Sequence, residues 1–189
     1  MRLGSPIEDV EGCLKQIDED WRKGRFNPIL ESDIAGHLYH VLASRVGSAA
    51  CLHLSTRLCG DPENEHRKYD LVVGEVTDGV GESRPYIKEP TMIVEIKLLA
   101  RGFNPAQKQR RLRGIKEDIQ KLAKIPNPEG GRFVLAFEYL NARKCDGCLT
   151  RLCGTRKRRG SWRTTNGVKV ICVWMWQDGE ELGVDWEYV

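Results

Sequence analysis

The chain has 189 residues, 40% of them apolar and 30% charged, with a formal net charge of +3. This length suits one domain spanning 1–189, and every apolar run falls short of the roughly 18 residues needed to span a membrane. The opening MRLGSPIEDVEG lacks the apolar stretch of a signal peptide, so a cytoplasmic protein with no membrane partner is expected.

Residues 5–23 read as a first helix, with Ser5 as cap, Pro6 in the first turn and Gly24 as the stop. With the following loop they make an N-terminal helical extension, 1–28. Residues 29–46 read as a second helix with an apolar stripe at Ile34, Leu38, Val41 and Leu42. ACLHLSTR (50–57) and KYDLVVGEV (68–76) are strands, and TDGVGESRPYIKEP is a hairpin connection to a third, TMIVEIKLL (91–99). Residues 105–125 form a long helix that starts near Pro105 and buries Leu112, Ile115, Ile119 and Leu122. RFVLAFEYL (132–140) and VKVICVWMW (168–176) are further strands, and the tail 181–188 adds a hairpin strand after QDGEE. Between them lies a basic, Cys- and Arg-rich insertion, 141–167. The expected fold is α/β: a central mixed sheet of about five strands flanked by helices, in the order α-α-β-β-β-α-β-loop-β. The helix between the third and fourth strands is long enough for a crossover, so those two run parallel.

Side chains alternate faces along a strand, so Glu95 and Lys97 point one way and Met92, Val94, Ile96 and Leu98 the other. A carboxylate and an ammonium in a strand this apolar need compensation. Asp70 is the one acid at the start of an apolar strand. Glu31 precedes Ile34 and Leu38 on one helical stripe. Taken singly, each has an ordinary explanation: an edge ion pair, a strand-entry Asp, and a Glu favoured by the helix dipole. On the long helix, Gln107, Lys108, Gln109, Arg110, Arg111 and Arg113 crowd the first turns, and Gln107 and Arg111 are candidate phosphate contacts. Asp118 and Lys121, further along, read as surface residues.

Seven cysteines, an odd number, argue against a disulfide framework. Cys51 and Cys172 sit in apolar stretches and read as core. Cys145, Cys148 and Cys153 make half of a zinc site whose fourth ligand would be distant, such as Cys59 or His66; free thiols in a loop are the alternative. Arg158 and Arg159 offer a phosphate-contact patch in the same insertion, beside Trp162. His37, His40, His53 and His66 form no recognisable triad.

Glu31 on a helix, Asp70 on the second strand and Glu95-Ile96-Lys97 on the third, followed by a basic helix and an apolar strand, resemble the PD-(D/E)xK nuclease family with its restriction-endonuclease-like fold. The resemblance covers residues 29–140, with Tyr69 standing where the family motif has Pro. It implies hydrolysis of DNA phosphodiesters with Mg²⁺ or Mn²⁺. Asp70 and Glu95 would be the main metal ligands, with the Ile96 carbonyl as a third. Lys97 would orient the attacking water and stabilise developing charge, and Glu31 would bind a second metal or a metal-bound water. Cutting two strands implies a homodimer. Two other readings remain: a catalytically silent nucleic-acid-binding module on the same fold, and a zinc-stabilised interaction protein.

Overall fold

The computed structural model describes residues 6–46, 52–56, 58, 68–77, 86–142, 147–150 and 164–189. The chain is α/β. Helices α1 (Pro6–Arg22) and α2 (Glu31–Val46) precede strands β1 (Leu52–Thr56), β2 (Tyr69–Thr77) and β3 (Tyr86–Leu99). Helix α3 (Pro105–Ala123) then leads to β4 (Arg132–Leu140), β5 (Thr164–Thr165), β6 (Val168–Asp178) and β7 (Glu181–Tyr188). The seven strands form one mixed sheet in the order β1-β2-β3-β4-β6, with β5 and β7 both antiparallel to β6. β3 and β4 run parallel, as the crossover through α3 requires, and β6 runs parallel to β4. The expected tail strand forms as β7, and the two-residue β5 is the strand not foreseen.

β3 begins five residues before the expected Thr91, because Tyr86–Pro90 also pairs with β2. Proline has no N–H to give a ladder, and the register shifts opposite it, at Gly74, accommodate the defect.

The sheet is covered on both faces. Met92, Val94, Ile96 and Leu98 of β3 share one core with α1 and α2, including Leu14, Ile17, Ile34 and Leu38. Ile93 and Leu99 face the other core, with Ile115, Ile119 and Leu122 of α3. Leu112, expected in that stripe, is only half-buried. α1 is an integral part of the first core: Asp18 Oδ1 accepts the Val184 N–H at 2.8 Å, and Trp21 Nε1 donates to the Trp176 carbonyl at 3.2 Å.

α3 is fixed at both ends. At the start, Asn104 Oδ1 accepts the Gln107 N–H at 2.9 Å, and Gln107 Oε1 accepts the Asn104 N–H at 2.8 Å. This reciprocal pair satisfies two donors that a helix end otherwise leaves free. Asn104→Ala is therefore expected to cost about 1 kcal/mol, measured by urea unfolding. At the other end Arg132, buried on β4, donates through Nη1 to the carbonyls of Leu122 and Ala123, at 2.8 and 3.2 Å, and of Ile125. Its Nη2 reaches the Gly167 carbonyl at 3.1 Å.

Candidate active site at the fork between the second and third strands

The β2–β3 ladder runs as far as Leu71 opposite Val94. One further step in that register places Asp70 opposite Glu95. Here β2 no longer supplies the backbone partner, and β3's inward N–H groups are met by carboxylates instead. Asp70 Oδ2 accepts the Ile96 N–H at 2.7 Å, and Glu31 Oε1 accepts the Leu98 N–H at 3.1 Å. Both acids are thus held against the strand segment that carries Glu95 and Lys97. Glu31 is the first residue of α2, where the helix dipole favours a carboxylate.

Glu95 and Lys97 point toward α3, as strand alternation predicts, and that helix answers each with an opposite charge. Lys97 Nζ lies 2.8 Å from Asp118 Oδ2. Lys121 Nζ donates to Glu95 Oε1 and, at 3.1 Å, to the Lys68 carbonyl. Asp118 and Lys121 are therefore largely buried members of the site, with side chains 13% and 9% exposed, and not the surface residues expected. Arg111 Nη1 holds Glu31 Oε1 at 2.8 Å. Arg111, Gly114, Asp118 and Lys121 recur at helical spacing on one face of α3. Gly114 faces the Lys97 stem, where a Cβ would sit in ordinary contact 3.4 Å from Lys97 Cε.

The electrostatics follow from burial. Glu95, 3% exposed, has its pKa raised from 4.5 to about 8. Desolvation is the main cause, reinforced by the charges of Asp70 and Asp118 and opposed by Lys121. Burial also raises Asp118, against the pull of Lys97 and Lys121. Burial alone would lower Lys97, but the bond to Asp118 and the charges of Asp118, Glu31 and Glu95 outweigh it and hold its pKa above the ordinary value. With every group ionised, Glu31, Asp70, Glu95 and Asp118 stand against Lys97, Arg111 and Lys121, leaving one net negative charge.

A hard divalent cation suits this donor chemistry. Mg²⁺ takes one or two carboxylates and keeps several waters, and Asp70, Glu95 and the Ile96 carbonyl offer only oxygens. Glu95 is buried and feels the charges of Asp70 and Asp118, which such an ion would offset. Among the described residues no group of three or more His, Cys, Asp or Glu side chains converges closely enough to hold a metal without rearrangement.

Of the other candidates, Gln107 is engaged in the α3 cap, and Arg111 belongs to the site through Glu31. Arg158, Arg159, Cys145 and Cys153 lie outside the described residues, as do Cys51, Cys59, His66 and Trp162. Cys148 is half-buried. Its N–H and that of Leu149 are bound at 2.8 and 2.9 Å by Glu138, a β4 carboxylate only 1% exposed, which ties this part of the insertion to the sheet. Gly147 permits that approach, because a Cβ there would fall 2.2 Å from Glu138 Oε2. Cys172 is buried as expected but is disulfide-bonded, a departure from the disulfide-free reading of the cysteine count. His37 packs on Phe26 beside Asp20. No helix among the described residues is long and apolar enough to cross a membrane. The chain matches no protein-family model, no curated protein and no solved structure.

Proposed function

We propose that this protein is a Mg²⁺-dependent nuclease that hydrolyses DNA phosphodiesters, on a fold similar to that of the PD-(D/E)xK nucleases. The observation that carries the reading is the 2.7 Å bond from the Ile96 N–H to Asp70, which sets the β2 acid beside the Glu95-Ile96-Lys97 segment. Four acids and three bases from α2, β2, β3 and α3 meet at this fork, where two strands part.

Asp70, Glu95 and the Ile96 carbonyl would hold the ion. A bound divalent cation supplies an acidified water and neutralises charge on the phosphate. The remaining chemistry belongs to the chain. Lys97, kept protonated by Asp118, donates to the developing negative charge and to the attacking water. Glu31 fixes the Leu98 N–H and Arg111 together, and Arg111, 39% exposed, presents a guanidinium to the phosphate backbone. Cutting both strands of a duplex calls for two such sites, and so for a homodimer.

One observation favours a second reading, the catalytically silent nucleic-acid-binding module. Glu95 and Lys97 each already have a partner on α3 and could serve as a buried ion-pair network alone.

The test is incubation of the purified protein with linear, branched and single-stranded DNA in Mg²⁺ or Mn²⁺. Cleavage is expected, and Asp70→Ala and Lys97→Ala are each expected to lose about 10²-fold or more of it. Intact DNA under all these conditions rejects the nuclease. Salt-sensitive DNA binding unchanged by Glu95→Ala would then favour the silent module.

A further inference from the structure

The buried amine of Lys121 is the one element of the site that the proposed reaction does not use. Its ammonium touches Glu95 Oε1 and lies 3.1 Å from the Lys68 carbonyl oxygen. It also sits 4.0 Å from the centroid of the Tyr69 ring. It therefore occupies a cage made of a carboxylate, a backbone carbonyl and an aromatic face, between β3 and the first residues of β2. Those are cation-binding groups. Asp70 follows Tyr69 directly, so the cage borders the space that an ion shared by Asp70 and Glu95 would fill.

We propose that Lys121 is a built-in counterion: its ammonium holds the candidate metal position in the ion-free protein, and a divalent cation enters by displacing it. The inference rests on the metal-dependent reading above. An ammonium and a divalent ion on one buried carboxylate repel strongly, so the two compete for Glu95. Glu95 is 3% exposed, and the amine is the cation that touches it until a better one arrives. The displaced side chain has somewhere to go. A polar cleft of about 380 Å³, lined by Glu117, Asp118, Gln120, Lys121 and Lys124, opens along α3. Lysine's flexible four-carbon stem can swing into it.

The experiment is amine acylation of the wild-type protein, read by peptide mass spectrometry with and without saturating Mn²⁺, while paramagnetic resonance reports bound Mn²⁺. Lys23, whose side chain is 55% exposed, is the internal reference. Lys121 is expected to react about 10-fold faster when Mn²⁺ is bound, with Lys23 unchanged. In Lys121→Met, checked for folding by circular dichroism, Mn²⁺ is expected to bind about 10-fold tighter than in the wild type. Bound Mn²⁺ with Lys121 still protected overturns the exchange, as does a folded Lys121→Met that binds Mn²⁺ no tighter. If DNA cleavage persists in either case, the nuclease reading survives alone. If the wild type neither binds Mn²⁺ nor cuts DNA, both fall together.

Discussion

Glu95→Gln is expected to reduce metal-dependent DNA cleavage by about 10³-fold, because an uncharged amide is a poor ligand for a hard divalent ion. The same change should alter how stability depends on pH. The Glu95 carboxyl is raised from 4.5 to about 8, mainly by burial. Between those values the folded chain retains a proton that the unfolded chain has released, so wild-type stability falls as pH rises through that window and levels off above about 8. Glutamine has no such proton. The wild type should therefore lose on the order of 3 kcal/mol relative to Glu95→Gln between about pH 5 and 8, in urea unfolding without divalent ions. In the reaction the dependence has the opposite sign. Ligation needs the ionised carboxylate, so wild-type kcat/KM should climb toward about pH 8 and then flatten. A flat stability difference across that range would mean that Glu95 titrates as an ordinary surface acid.

The second large effect concerns a residue away from the chemistry. Arg132→Ala is expected to destabilise the fold by about 3 kcal/mol, measured by chemical denaturation. The guanidinium meets carbonyls at the end of α3 and at Gly167, joining that helix to β4 and to the β5–β6 turn. Its loss leaves those acceptors without their donors and removes a cation from the negative end of the helix. Since α3 carries Asp118 and Lys121, a looser helix end should also weaken cleavage. A change below about 0.5 kcal/mol would show that solvent replaces the arginine without difficulty.

Most of the architecture was legible because it rests on two periodicities. Alternation in TMIVEIKLL assigned Glu95 and Lys97 to one face, and the structure turns that face to α3. Asp70 at a strand start read on its own as an ordinary turn residue; only the family resemblance set it with Glu95-Ile96-Lys97, and its carboxylate accepts the Ile96 N–H. Asp118 and Lys121 escaped notice because a helix stripe reads as apolar or polar, and they, like Arg111 and Gly114, each lie one residue before the apolar stripe. That offset is about 100° around the helix, enough to look exposed and still reach the sheet. The signal available was the i, i+3 spacing of Asp118 and Lys121 on a helix due to cross a strand carrying one acid and one amine. Gln107 has a second role that the sequence also carried. Three residues after Asn104 it satisfies the pattern of a helix cap, and its amide is used there. The two-residue β5 is too short to show any alternation.

The carboxylates on the Ile96 and Leu98 N–H groups have one further consequence. Past Leu71, β3 has lost its neighbour on the β2 side and bares donors that any extended segment could adopt. Asp70 and Glu31 occupy those donors and coat the gap with negative charge. An arrangement suited to binding an ion thereby also protects the sheet from edge-to-edge self-association at this fork.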